Sequence, residues 1–269
     1  MEAAPELRGG VWWGSFELAE GQTGRWRVGA LTLWIRRDPA EWTVAHVSAD
    51  DPFDTSAEVQ VPAEEPLPEE GVTLSRFAAR KTYGHLRVQP ILPDRPVVSR
   101  PEVPFHVLAE DEVRVYVSSP VWVKIEAGRP LRPLLEVAPY RVSDTWFGPN
   151  TREGELCYAG RTRCRHEPED LPRRPQRAVT PVVVRNRAEK TLAVERLNLP
   201  APLLSLYASP AGALWTQPLV VEIAREGATA EIRIERKAPP EAPGAVLLTG
   251  PREDAGKNML TRALGALIG

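Results

Sequence analysis

The sequence has few of the features from which disulfide scaffolds and membrane spans are built. Cys157 and Cys164 are the only cysteines among its 269 residues, too few for the dense disulfide framework of a small secreted domain. It has no run of about 18 apolar residues, so we expect no membrane-spanning helix. The stretch MEAAPELRGG at residues 1–10 lacks the basic region and apolar core of a signal peptide. These absences predict a cytoplasmic protein without direct insertion into a membrane.

The motifs of common enzyme chemistry are also missing. The sequence contains no Walker loop and no GxGxxG, GxSxG or HExxH pattern. Its four histidines are scattered along the chain. The formal net charge of −2 provides no overall field that would attract nucleic acid. We therefore assign no catalytic residue and no cofactor, and we expect no binding to nucleic acid.

Proline is abundant, and long helical patterns are rare. The 28 prolines favour short strands and ordered turns, because proline interrupts helices. Residues 114–117 alternate polar and apolar side chains, as a half-buried strand does. Residues 180–186 form an apolar run that leads through a polar turn into residues 191–197. Such a strand pair is typical of the opening of an immunoglobulin-like sandwich.

The pattern of strands and turns predicts an all-β protein of two packed β-sandwiches, with a short C-terminal α-helix. The predicted N-terminal sandwich covers residues 1–140. The second sandwich, of the immunoglobulin-like type, covers residues 141–250, and an amphipathic helix occupies residues 251–269. The boundary between the sandwiches is expected near residues 139–143.

The C-terminal segment has a helical rather than a strand period. Asp254 is a suitable N-cap, and apolar residues recur at spacings of three and four along one face. About four turns are marginally stable alone in water, so the helix is expected to pack on its own sandwich or on a partner. The apolar face that we predict to bind a partner consists of Met259, Leu260, Ala263, Leu264, Leu267 and Ile268.

The densest group of unusual residues is VSDTWFGPNTREGELCY, at residues 142–158. Trp146 and Phe147 stand beside a Gly-Pro pair, with Asp144 and Asn150 on either side. A rigid aromatic platform with polar neighbours can stack on a sugar ring or anchor a protein partner. The structural alternative is that Trp146 plugs the end of a sandwich while Asp144 and Asn150 cap turns.

The segment that follows has the spacing Cys157-x6-Cys164-x-His166. Two thiolates and an imidazole could provide three of the four ligands of a zinc site. However, residues 155–158 and 161–165 are predicted to form a hairpin around Ala159 and Gly160. The two cysteines can then simply face each other as buried thiols, and we assign no metal here.

Three runs of the sequence resemble a known family. They are RVYVSSPVWVKIE, SDTWFGPNTREGELCYAGRTR and AVTPVVVRNRAEKTLAVERLNLP, and they resemble the family called domain of unknown function 432. The resemblance extends from about Gly14 to the C-terminal helix. It implies a prokaryotic, soluble, β-rich protein without an established activity. It further implies a cytosolic partner of mechanosensitive channels of the small-conductance type, since family members are often encoded beside them.

Two functional hypotheses result. The leading one is a non-catalytic protein-interaction module that serves as a cytosolic accessory subunit of a mechanosensitive-type membrane channel, at the inner membrane through its partner. Its contacts would be the C-terminal apolar face together with Trp146 and Phe147. The alternative is a carbohydrate-binding module or glycan-acting enzyme centred on the Trp146 loop, in which Asp144 and Asn150 bind the ligand.

Overall fold

The computed structural model describes residues 11–49, 51, 54–148, 150–168, 171, 174–224 and 230–254. In these ranges the protein contains 22 strands, numbered β1 to β22 along the chain, and a 3-10 turn at Ala201–Leu203. The predicted all-β class is therefore confirmed. The predicted C-terminal helix lies outside the described residues beyond Asp254. Within the described ranges no helix is long and apolar enough to cross a membrane.

The chain forms two compact units, and neither unit is continuous in sequence. The first contains the described residues of 1–91, 121–141 and 173–176, and the second those of 92–120, 142–172 and 177–269. This division differs from the predicted boundary near residue 140. The reason is the long pairing of β10 (Glu112–Pro120) with β15 (Arg177–Asn186), which brings residues 92–120 into the second unit.

The first unit contains two antiparallel sheets. One has the order β1-β7-β11-β12 and consists of β1 (Gly14–Glu17), β7 (His85–Ile91), β11 (Trp122–Ala127) and β12 (Arg132–Val137). The other has the order β5-β2-β3-β4-β6 and consists of β2 (Thr23–Val28), β3 (Leu31–Asp38), β4 (Glu41–Ser48), β5 (Ala57–Gln60) and β6 (Thr73–Ala78).

The core of the first unit is formed by buried apolar side chains from both sheets. In β3 the side chains of Leu31, Leu33 and Ile35 are buried, and the residues between them are partly exposed. This period of two arises because successive side chains of a strand point to opposite faces. Trp26 of β2 is fully buried, and its ring meets that of Phe16 of β1 edge-on, with 5.1 Å between the centroids.

The second unit contains three sheets. The largest has the order β21-β20-β15-β19-β18-β22, with β10 also paired to β15; its other strands are β18 (Leu206–Ala208), β19 (Leu214–Thr216), β20 (Leu219–Ile223), β21 (Glu231–Ile234) and β22 (Val246–Thr249). A four-stranded sheet has the order β13-β14-β8-β17, formed by β8 (Val97–Pro101), β13 (Asp144–Phe147), β14 (Glu155–Thr162) and β17 (Leu197–Leu199). The third sheet pairs β9 (Phe105–Val107) with β16 (Leu192–Val194).

Strand β15 lies inside the largest sheet. It pairs antiparallel with β10 and parallel with β19 and β20. Residues Val182, Val183 and Val184 are all buried, as expected for a strand that is covered on both faces. The predicted hairpin of residues 180–186 with 191–197 is wrong, because β16 pairs with β9 and β17 pairs with β8.

Asn186 organises the turn that follows β15. Its side chain is fully buried, and its Nδ2 lies 3.1, 3.0 and 2.8 Å from the carbonyl oxygens of Val107, Leu108 and Lys190. Its Oδ1 accepts a hydrogen bond from the backbone N–H of Ala188 at 3.0 Å. The amide therefore joins β9 to the turn after β15 and satisfies polar groups that water does not reach.

Replacement of Asn186 by alanine should destabilise the protein. The variant leaves buried backbone groups without partners, and each such group costs about 1–3 kcal/mol, so we expect a loss of about 3 kcal/mol in the free energy of unfolding. Chemical denaturation measures this loss. The control is Glu189→Ala, at an exposed position of the same turn, which should change stability by less than about 0.5 kcal/mol. Equal denaturation midpoints for the two variants would contradict the role of Asn186.

Candidate functional site

Trp146 lies on β13, the edge strand of the four-stranded sheet. The antiparallel register places it directly opposite Leu156 of β14, so both side chains are on the same face. Trp146 is 43% exposed and Leu156 is 45% exposed. Two large apolar side chains thus face solvent side by side, and we call this pair the Trp146 surface.

The ring of Trp146 is held in place by the loop that follows β13. Its indole N–H donates a hydrogen bond to the backbone carbonyl of Asn150 at 2.8 Å. A Cβ added at Gly154 would lie 2.8 Å from Nε1 and Cε2 of the ring, so only glycine allows the chain to pass this close. The polar atom of Trp146 is therefore satisfied inside the protein, and the apolar part of the ring remains exposed.

Asn150 has the structural role that its turn chemistry predicts. Its Oδ1 accepts hydrogen bonds from the backbone N–H groups of Arg152 and Glu153 at 2.8 and 2.9 Å. Its Nδ2 donates to the Glu153 carboxylate at 3.2 Å. This pattern is typical of an asparagine that closes a turn. The role of Asn150 in ligand binding stays a prediction. A ligand would have to compete with these internal contacts for the Asn150 side chain.

Asp144 contributes to a charged rim on the same face as Trp146. Its Oδ1 lies 3.2 Å from Nη1 of Arg95, and the Arg95 guanidinium lies 5.2 Å from the centroid of the Tyr158 ring. The Tyr158 hydroxyl donates to Asp94 at 2.9 Å. Burial, followed by the hydrogen bond to Asp94, raises the pKa of Tyr158 to about 12. The Trp146 surface thus has an apolar centre and a charged border.

Phe147 does not share the exposure of its neighbour. It is 2% exposed and packs in a cluster with Val98 and Cys157, while the Arg196 guanidinium lies 5.6 Å from the centroid of its ring. Adjacent residues of a strand point to opposite faces, so Trp146 and Phe147 cannot both face the same partner. The predicted partner contact at Phe147 is thus corrected: the residue anchors β13 to the core.

The predicted hairpin around Ala159 and Gly160 is wrong. Residues 155–162 form the single strand β14, which runs parallel to β8 from Tyr158 to Thr162. A Cβ on Gly160 would lie 3.0 Å from Oγ of Ser99. The glycine therefore permits close approach of two strands, whereas its position beside Ala159 in the sequence suggested a turn.

The structure does not bring the three candidate zinc ligands together. Cys157 lies in the Phe147 cluster, whereas Cys164 and His166 line a cavity in which Cys157 takes no part. Within the described ranges, no three histidine, cysteine, aspartate or glutamate residues are grouped as metal ligands. Both cysteines are buried and unbridged, and burial raises the pKa of each thiol to about 12.

Leu156 is the residue of this surface that the sequence analysis did not identify. Its exposure follows from the pairing of β13 with β14, which places it opposite Trp146. The local sequence carried no clear signal, because the burial pattern of Glu155–Thr162 does not alternate: Leu156 is exposed, and both Cys157 and Tyr158 are buried. The exposure of Leu156 could therefore be found only from the strand register.

The two aromatic residues of β13 should respond differently to truncation. Phe147→Ala removes a fully buried ring and should reduce the free energy of unfolding by about 3–5 kcal/mol. Trp146→Ala removes a side chain that is 43% exposed, and the loss should be smaller, about 1 kcal/mol. Denaturant titration of both variants measures the difference. Losses of equal size would contradict the assignment of one ring to the core and the other to the surface.

Both thiols should be unreactive in the native protein. Because their pKa is about 12, Cys157 and Cys164 are protonated at pH 8, and the thiolate is the reactive form. We expect no fast reaction with Ellman's reagent before unfolding and two reactive thiols after unfolding in guanidinium. A native protein that releases thionitrobenzoate as fast as the unfolded one would contradict the observed burial.

Comparison with known families gives one result that covers nearly the whole chain. The family model described as "Protein of unknown function (DUF432)" matches residues 12–268. No curated protein and no solved structure matches the chain. The matched range contains the Trp146 surface, both cysteines and all described strands. The resemblance inferred from the three sequence runs is thereby confirmed, and the chain belongs to the DUF432 family of proteins of unknown function.

Proposed function

We propose that this chain is a non-catalytic protein-interaction module that binds its partner through the Trp146 surface. The observation that carries the proposal is the immobilised, exposed ring of Trp146 opposite the exposed Leu156. An aromatic side chain that is already ordered loses little conformational freedom on binding and buries a large apolar area. Such residues, surrounded by a polar rim, are common anchors of protein interfaces.

The edge position of β13 supports the same proposal. The backbone N–H of Ala159 donates to the carbonyl of Ser143, and antiparallel pairing alternates between residues that bond to the neighbour and residues that do not. The N–H and C=O groups of Asp144 and Trp146 therefore point away from β14, toward an edge with which no described strand pairs. A partner segment in extended form can add to this edge and at the same time cover the Trp146 ring.

A carbohydrate ligand is the alternative at the same place. A sugar stacked on Trp146 would also need hydrogen-bonding groups beside the ring. The two polar residues predicted for this role have contacts within the protein, Asp144 with Arg95 and Asn150 with its own loop. This arrangement favours an apolar protein partner over a glycan.

The proposed partner is a membrane channel of the small-conductance mechanosensitive type, and this choice rests on the family resemblance alone. With this partner, the protein would be located in the cytoplasm and would be held at the inner membrane by its contact with the channel. The second proposed contact is the apolar face formed by Met259, Leu260, Ala263, Leu264, Leu267 and Ile268, which lies outside the described residues. In this proposal the channel binds both surfaces, and the chain has no catalytic role.

We also propose that the sheets of each unit pack as β-sandwiches, the second of the immunoglobulin-like type. In the first unit the edge-on contact of Phe16 with Trp26 joins the two sheets, and β3 buries alternate side chains. Sheets that each bury one face are typically packed face to face. In the second unit, the short strands of its three sheets support the same arrangement.

The interaction is tested by affinity purification from detergent-solubilised membranes of the native organism. The full-length chain should retain a small-conductance channel, identified by mass spectrometry. The double variant Trp146→Ala with Leu156→Ala should reduce recovery at least about tenfold, because loss of a central anchor pair typically costs 2 kcal/mol or more, roughly a thirtyfold change in affinity.

The matched control is the double variant Tyr83→Ala with Leu74→Ala. Both of these residues belong to the first unit and are 46% exposed, so the control removes a similar apolar area elsewhere. It should recover the channel as the unchanged protein does. If the double variant Trp146→Ala with Leu156→Ala recovers the channel as well as the unchanged protein does, the channel binds elsewhere than at the Trp146 surface. Glycan binding that disappears with Trp146→Ala, without any channel recovery, would establish the carbohydrate alternative.

A further inference from the structure

We propose that the second unit docks on an anionic lipid surface through a pair of arginines, Arg100 of β8 and Arg161 of β14. The two strands run parallel, and their register places these residues directly beside each other. Both residues are exposed to solvent. Partners in register point to the same face of a sheet, and neighbouring strands are about 4.8 Å apart. The two guanidinium groups can therefore reach the same phosphate group, and we call this pair the arginine surface.

The arginine surface has no counter-charge within the described ranges. One row further along the same strands, Nε of Arg163 pairs with the carboxylate of Glu102 at 3.1 Å. No described carboxylate pairs with Arg100 or Arg161 in this way. Like charges at neighbouring positions of a sheet repel each other. An anion from outside the chain would remove this repulsion, and a local conflict of this kind is typical of a functional position.

The open position of the arginine surface favours an extended anionic surface over a small soluble ligand. Small ligands are usually held in concave sites, and neither Arg100 nor Arg161 lines the cavity beyond the end of β14. In the preceding row the two strands carry Ala159, which is exposed and small, and Val98, which is buried. A lipid surface needs no enclosure, because it attracts nearby arginines through its dense negative charge. Arginine then binds phosphate through paired hydrogen bonds.

An exposed apolar residue near the arginines fits the same occupant. Val103 follows Glu102 and is 77% exposed. Together with Arg163 it lines the cavity where the chain leaves its extended course at Cys164, whose φ is +45°. Valine is under-represented among the anchors of protein interfaces, whereas apolar side chains beside cations enter the boundary region of anionic membranes. This combination favours a lipid surface over an acidic polypeptide.

The arginine surface is separate from the Trp146 surface, and its proposed role does not depend on the channel. Arg161 follows Leu156 by five positions on β14, and an odd spacing places two side chains on opposite faces of a strand. The formal net charge of the whole chain is −2, which an anionic membrane repels. Attraction to such a membrane must therefore come from a local group of cations.

The experiment is co-sedimentation of the full-length chain with vesicles of phosphatidylglycerol and phosphatidylcholine in equal amounts, at about 50 mM salt. The chain should bind these vesicles at least about tenfold more strongly than vesicles of phosphatidylcholine alone, and about 500 mM salt should abolish the difference by screening. Arg100→Gln should weaken binding about fivefold. The double variant Arg100→Gln with Arg161→Gln should weaken it about thirtyfold, the factor expected for two cations near an anionic surface.

The matched control is the double variant Arg187→Gln with Arg236→Gln. Both residues are exposed and belong to the second unit, so the control removes the same charge from another place. It should change binding less than about twofold, and thermal unfolding shows that each variant is folded. The proposal is overturned if the chain binds both kinds of vesicle equally, or if the control weakens binding as much as the double variant of Arg100 and Arg161 does.

Two soluble probes distinguish the lipid surface from other sources of negative charge. Glycerol phosphate carries the phosphate group without a membrane, and hexaglutamate represents an acidic polypeptide. Calorimetric titration should show that both bind the full-length chain at least about tenfold more weakly than the anionic vesicles do. If either probe binds, loses affinity with Arg100→Gln, and the vesicles do not bind, the pair recognises a soluble anion and the lipid proposal is overturned.

Discussion

The pairing of β10 with β15 is the interaction on which the organisation of the second unit depends. Nine residue pairs, from Glu112 opposite Arg185 to Pro120 opposite Arg177, join segments that are far apart in sequence. On its other side β15 pairs in parallel with β19 and β20, and such pairs require long connections. Residues 92–120 therefore belong to the second unit, although the strand that follows them belongs to the first.

Strand β14 connects two separate parts of the surface of the second unit. Near its start, Leu156 stands opposite Trp146 and forms the apolar pair at the sheet edge. Just beyond its end, the left-handed Cys164 directs its neighbours into the cavity. Leu156 and Thr162 are six residues apart, so the strand separates the two places by about 20 Å.

Local features of the fold were predictable, and non-local features were not. The all-β class followed from proline content and short alternating runs, and the turn chemistry of Asn150 followed from its residue type. The hairpin at Ala159 and Gly160 was wrong because Gly160 packs against a parallel neighbour, β8, which only long-range pairing reveals. The predicted pairing of residues 191–197 with residues 180–186 was wrong for the same reason, because β16 pairs with β9 and β17 pairs with β8. At the site, Trp146 was identified from its type, whereas the exposure of Leu156 and the burial of Phe147 depended on strand register.

The most direct test of the central claim is photo-crosslinking from the position of Trp146. The full-length chain, with p-benzoylphenylalanine at position 146, is irradiated in cells of the native organism, and the products are identified by mass spectrometry. The account predicts a single crosslinked protein species at this position and none at position 83, where Tyr83 is similarly exposed in the first unit. The same products at both positions, or no product at position 146, would contradict the claim that the Trp146 surface binds a protein partner.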